Sequence, residues 1–155
     1  MVTIAVGSDH GGLEVKAAVI TLLKGRGLTV IDAGTDGPAS VDYPDFGMKV
    51  AGMVSRGEAD QGVLVCGTGI GMSIVANKFS GVRAALVTDE FMARMSREHN
   101  NANILVLGGR VVDVPTAEKL VSAWLDATFE GGRHQGRLDK IAALERELGL
   151  ANNSL

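Results

Sequence analysis

The stretch Cys66-Gly67-Thr68-Gly69-Ile70-Gly71 is the part of this chain best suited to chemistry. Glycines at alternate positions let the backbone approach a bound molecule closely, and a helix beginning there offers free N–H groups to a phosphate or an oxyanion. Two nucleotide loops are excluded. No Gly-Lys-Ser/Thr follows, as a P-loop requires, and Met72 stands where the dinucleotide fingerprint has its third glycine. Taken alone, the loop also reads as a tight strand-to-helix turn. Cys66 directly precedes it. N–H donors and a helix start favour the thiolate, which can act as nucleophile or general base; a small buried residue is the plain alternative.

The other candidates are basic. The three histidines, His10, His99 and His134, include no pair at ligand spacing on one element, so no metal site is expected. His10 follows Asp9 in a loop. His134 lies in Gly131-Gly132-Arg133-His134-Gln135-Gly136-Arg137. If that stretch is helical, Arg133 and Arg137 share a face and can clamp a phosphate through their guanidinium groups. A solvated basic helix start is the other reading.

Such groups need elements to position them. Short apolar, β-rich runs at 2–6, 28–31, 63–66, 83–87 and 104–107 alternate with helix-length segments. The first helix runs from Leu13 to Lys24, and Pro44 opens the second, with Phe46, Val50, Met53 and Val54 on one side. A short third helix follows Gly71 to about Lys78. Asp89 caps a fourth that reaches His99, and Asp113 and Pro115 open a fifth through Leu125. A sixth is expected from about Gln135 to Leu148, and a frayed tail over 151–155. Met48, Met53, Met72, Met92 and Met95 fall at helical positions and read as fillers of core or interface gaps.

Continuous apolar strands, each followed by a helix, predict a five-stranded parallel sheet covered on both faces: a three-layer αβα, Rossmann-like sandwich in one domain over 1–150. Strand order is not readable. In open parallel sheets, ligands bind outside the carboxyl ends of the strands. That edge would carry Asp9-His10, the Cys66–Gly71 loop, Thr88-Asp89 and Gly108-Gly109-Arg110.

Composition narrows the partners. With 155 residues, 46% of them apolar, the chain can bury a full core and points to a covered interface as well. At 21% charged residues and a net charge of -3, it has no basic field for nucleic acid and no polybasic membrane patch. The expected partners are a small molecule and a second copy of the chain. A single cysteine excludes an internal disulfide framework. No apolar run approaches the ~20 residues of a membrane span. The start of the chain reads as a strand rather than a signal peptide, and a reducing cytoplasm is the expected location.

Six stretches together resemble the family of ribose-5-phosphate isomerases of type B, which also holds galactose-6-phosphate and allose-6-phosphate isomerases. They are Gly7-Ser8-Asp9-His10, Asp42-Tyr43-Pro44, Cys66 to Gly71, Ala76-Asn77-Lys78, Arg97-Glu98-His99-Asn100 and Glu130-Gly131-Gly132-Arg133-His134. The resemblance implies reversible conversion of D-ribose 5-phosphate and D-ribulose 5-phosphate through an enediolate, without metal or cofactor. A hexose-phosphate isomerase of the same family, or a non-catalytic phosphate-binding module, stays open as the alternative. By position, Cys66 is the base that moves the proton between C1 and C2, which marks the branch using cysteine instead of a glutamate elsewhere. The amides of Gly67, Gly69, Ile70 and Gly71 hold the enediolate oxygen. Thr68 and His99 help to open the sugar ring. Asp9 and His10 meet the sugar end, Tyr43 lines the pocket, and Asn100 binds substrate. Arg110, Arg133 and Arg137 face the phosphate.

His99 sets a geometric condition on that assignment. A helix from Asp89 carries it away from the binding edge for about ten residues, roughly 15 Å at 1.5 Å per residue. It also precedes the fifth strand, at the edge opposite its own Cys66. Both statements hold if His99 serves a second subunit in a homodimer with shared sites; a tetramer of such dimers stays open.

Overall fold

In the computed structural model, residues 1–149 are described. The expected frayed tail, 151–155, lies outside them. Among the described residues the chain forms strands β1 (Thr3–Ser8), β2 (Thr29–Asp32), β3 (Gln61–Cys66), β4 (Ala84–Leu86) and β5 (Ile104–Gly108). The helices are α1 (Leu13–Gly25), α2 (Tyr43–Ser55), α3 (Ile70–Ala76), α4 (Glu90–Glu98), α5 (Val114–Asp126) and α6 (Arg133–Glu147). None is long and apolar enough to cross a membrane.

Local chemistry sets the helix starts. Asp89 accepts the Met92 N–H at 2.8 Å and Asp113 accepts the Thr116 N–H at 2.9 Å, each relieving an unpaired amide of a first turn. Pro44 and Pro115 occupy first turns, where a missing N–H is harmless. The last helix begins at Arg133 rather than near Gln135. Gly131 and Gly132 both take positive φ, 65° and 54°, and this turn feeds the chain into the helix with no intervening loop.

All five strands are parallel, in the order β2-β1-β3-β5-β4. The chain winds from β1 outward to β2, then crosses to β3 on the other side of β1. The β1/β3 boundary is therefore the switch point at which a crevice opens above the sheet. Ser8 pairs in register with Val65, and Cys66 with Gly108, so Asp9 and Cys66 leave adjacent strands at that crevice.

Helices cover both faces. Val15, Val19 and Leu23 of α1 pack with Ala93 of α4 and Leu120 and Trp124 of α5 on one side. Val50 and Ala51 of α2 pack with Met72 and Ala76 of α3 on the other. Met72 fills the core as expected, whereas Met48 and Met92 are largely exposed. The pleat sends alternate residues of β3 to opposite cores: Val63 and Val65 to the first, Leu64 and Cys66 to the second. Cys66 thereby faces the starts of α2 and α3. At the outer edge of β4, the Asn77 side chain accepts the Ala84 N–H at 2.9 Å and donates to the Ala84 carbonyl at 3.0 Å.

One buried charge stands apart from these cores. Lys16 of α1 is almost fully covered and donates to Asp32, at the end of β2, at 2.7 Å. Burial pushes the Asp32 carboxyl up, but the Lys16 hydrogen bond, the Gly34 amide and the Lys16 and Lys24 charges outweigh it, leaving the group below the usual carboxylate range. The two sides of the pair are unequal, since the Asp32 side chain is 49% exposed and that of Lys16 only 5%. Asp32→Asn strands a buried ammonium, whereas Lys16→Met leaves a carboxylate that water can solvate. Chemical denaturation is expected to give a loss of about 2–3 kcal/mol for Asp32→Asn and under about 1 kcal/mol for Lys16→Met.

Candidate active site

Cys66 ends β3 with 5% of its surface exposed, and its Sγ accepts the Gly69 N–H at 3.2 Å. That contact depends on the turn. Gly69 sits at φ 82°, and a Cβ there would lie 2.5 Å from Leu86 Cδ1 and 3.1 Å from the Leu107 backbone. Only glycine meets both the conformation and the space. Thr68 is exposed, and its Oγ1 accepts the Ile70 N–H at 3.3 Å. The Gly109 N–H donates to the Cys66 carbonyl at 2.8 Å, and the Arg110 N–H to that of Gly67 at 2.9 Å, fixing one loop against the next.

Other side chains close around this centre. The Arg110 guanidinium lies between two turns: a Cβ on Gly67 would be 3.2 Å from its Nη1, and one on Gly11 3.5 Å from its Cζ. The Tyr43 ring rests on Gly71, where a Cβ would come within 2.4 Å of it. Asp9 is buried and accepts the Gly11 N–H at 2.9 Å. His10 Nδ1 accepts the Val41 N–H at 3.2 Å, which assigns the proton of a neutral ring to Nε2. A thiol, a row of amides, a carboxylate, an imidazole and a guanidinium thus meet at the β1/β3 crevice. This set can bind a polyol phosphate and move a proton on it.

His99, Asn100, Arg133 and Arg137 do not join it within one chain. His99 follows α4 just ahead of β5, and Asn103, at the head of β5, accepts the Gly62 N–H at the opposite end of β3 from Cys66. There the His99 ring stacks on His134, with centroids 4.1 Å apart and planes 13° from parallel. Glu130 Oε2 lies 3.4 Å from His134 Nε2 and 3.9 Å from His99 Nε2. Asn100 lines a groove between α6 and the β4 margin, with Arg83, Leu138 and Ile141. Arg133 and Arg137 are exposed on α6. Burial holds the His134 ring below the usual imidazole range; the charges of His99, Arg133 and Arg137 add to this, and Glu130 opposes it.

Chain spacing gave no sign that two histidines meet, because α4 and α6 are brought together only by the fold. The one available signal is the i, i+4 interval between Glu130 and His134. Among the described residues, His99, Glu130 and His134 are the one such group with donor atoms within 4.8 Å of one another. They do not fit a metal. Metal–nitrogen bonds lie in the ring plane, so parallel stacked rings direct their lone pairs side by side rather than to one point, and Arg133 and Arg137 add positive charge.

The fold and the crevice define a doubly wound α/β protein that handles a small anionic molecule beside a thiol, with neither nucleotide loop. More narrowly, the chain belongs to the Ribose/Galactose Isomerase family, which matches residues 4–141. It is 47% identical over 146 residues to ribose-5-phosphate isomerase B of Escherichia coli, covering 94% of this chain and 98% of that one. The structure of Clostridium thermocellum ribose-5-phosphate isomerase B superposes with a TM-score of 0.92 at 55% identity, over 94% of this chain and 99% of the other. That of the Mycoplasma genitalium enzyme with bound ribulose-5-phosphate gives 0.91 at 45% identity, over 94% and 97%.

The two glycines of the loop respond differently to a side chain. Gly69→Ala meets a strained φ and fixed backbone, and is expected to lower stability by about 2–4 kcal/mol. Gly71→Ala meets only the edge of Tyr43, itself 38% exposed and free to swing aside, so its cost stays below about 1 kcal/mol. Paired denaturation curves compare them directly.

Proposed function

We propose that the protein interconverts D-ribose 5-phosphate and D-ribulose 5-phosphate, with Cys66 as the proton-transfer base. The observation that carries this reading is the Gly69 N–H donated to Cys66 Sγ, which puts a thiol beside a loop of amides. Family membership and the ribulose-5-phosphate-bound relative support the substrate class.

In the aldose direction, Thr68 and His99 assist opening of the ring. The Cys66 thiolate then takes the C2 proton while the amides of Gly67, Gly69, Ile70 and Gly71 hold the charge developing on oxygen. The thiol returns the proton to C1 as the C2 hydroxyl proton passes to O1, so that C2 becomes the carbonyl and the ketose results. Asp9 and His10 bind the sugar end, Tyr43 lines the pocket and Asn100 adds a contact. Arg110, Arg133 and Arg137 face the phosphate. No step calls for a metal or a nucleotide, and a reducing cytoplasm keeps Cys66 a thiol.

The site is completed by a two-fold partner that brings its own copies of His99, Asn100, Arg133 and Arg137 to the Cys66 crevice. Two facts support a partner here. These residues lie at the far edge of their own chain, and Ile70 and Ile74, neighbours on α3 beside the crevice, are 55% and 58% exposed. Shared sites also explain the apolar composition.

Cys66→Ala is expected to lower turnover on ribose 5-phosphate by ~10²-fold or more with little change in KM; near-normal turnover would remove the thiol from the mechanism. Exhaustive chelation should leave the parent rate unchanged. Sharing is tested by mixing Cys66→Ala and His99→Ala subunits after reversible dissociation. Random pairing makes about half of the dimers mixed, each with one intact site of two, so about a quarter of parent activity returns. With exchange verified, no recovery means that both residues serve one chain's site.

A further inference from the structure

The stacked imidazoles and the carboxylate beside them take no part in proton transfer at Cys66. We infer that Glu130 and His134 are positioning residues for His99: the stack fixes the plane of its ring, and the carboxylate beside both Nε2 atoms fixes its direction. The inference rests on the reading of His99 as the ring-opening group.

His134 is 5% exposed, and its Nε2 has no hydrogen-bond partner. A buried ring nitrogen left so is costly unless a nearby charge compensates it. Among the described residues the anion in reach is Glu130 Oε2 at 3.4 Å, which also approaches His99 Nε2. The two rings lie 4.1 Å apart and nearly parallel, so each limits how the other can turn. Burial, with the charges of His99, Arg133 and Arg137, holds His134 below the usual imidazole range against the pull of Glu130. His99 is the exposed member of the stack, its side chain 37% open, and is the ring that can meet a substrate.

On α4, Glu98 is engaged by Arg94 at 3.7 Å and does not take the place of Glu130, while the Arg97 cation is held by the Ala102 carbonyl and lies over the Trp124 ring. The Glu130 N–H donates to the Glu98 carbonyl at 3.0 Å, which ties the carboxylate to the end of α4, where His99 stands. Opening a sugar ring needs a proton delivered to the ring oxygen and one removed from the C1 hydroxyl. An imidazole held in one plane beside a fixed carboxylate suits both.

Glu130→Gln removes the charge and keeps the shape. It is expected to lower kcat for ribose 5-phosphate about tenfold with KM within about twofold, because the ring loses the anion that directs it. His134→Ala should lower kcat similarly, and His134→Phe, which restores a flat stacking ring, should recover most of that loss. Parent kcat in either Glu130→Gln or His134→Ala overturns the inference. Proton NMR titration of His134 decides it independently of turnover: Glu130 holds that ring up, so its midpoint falls in folded Glu130→Gln, and an unchanged midpoint refutes a carboxylate acting on the stack. A parent protein inert toward ribose 5-phosphate would instead sink the isomerase reading.

Discussion

Between the last residue of β3 and the first turn of α3 the backbone folds back on Gly69, and its N–H reaches Cys66 Sγ at 3.2 Å. Much else is arranged to keep that contact. The left-handed φ excludes side chains, and Leu86 and Leu107, from β4 and β5, press on the position a Cβ would need. The loops after β3 and β5 are tied by two backbone hydrogen bonds. In the proposed reaction, a thiol this close to fixed amides gains from preorganisation: the donors are in place before charge develops, and no solvent must reorganise during the step.

The same arrangement explains how much could be read from the residues alone. Strand positions, the parallel sheet and the importance of Cys66 to Gly71 follow from hydrophobic runs and glycine spacing, which are local signals. The order β2-β1-β3-β5-β4 does not, because apolar strands carry no mark of their neighbours. Lys16 and Asp32 meet across two elements, and nothing in a lysine on an apolar helix announces a buried partner. The pairing of His134 with His99 is hidden for the same reason. Its significance lies in a ring from α4 that packs on it, a contact visible only after folding. The early start of α6 was missed because two consecutive glycines read as a loop when they serve as a hinge into the helix.

Two groups of candidate side chains thus occupy opposite edges of one small sheet. In the proposed reaction, proton transfer belongs to the crevice at the switch point. The imidazole pair and its arginines belong to helix ends at the other edge, on α4 and α6. In the shared-site arrangement, each catalytic unit combines the strand-end crevice of one chain with a surface feature of its partner, so selection on activity also acts on association.

The side chain of Asn77 completes the edge of the sheet much as another strand would. Its amide accepts from and donates to Ala84 at 2.9 and 3.0 Å, on the side of β4 away from β5. An open edge is a template for strand addition, and here it is only three residues long and already paired at its first. Copies of this protein are therefore kept from extending the sheet from one molecule to the next at its β4 edge. Loss of the Asn77 amide would cost little in the folded monomer, and its effect would be felt in crowded solution, as slow aggregation through an unprotected strand.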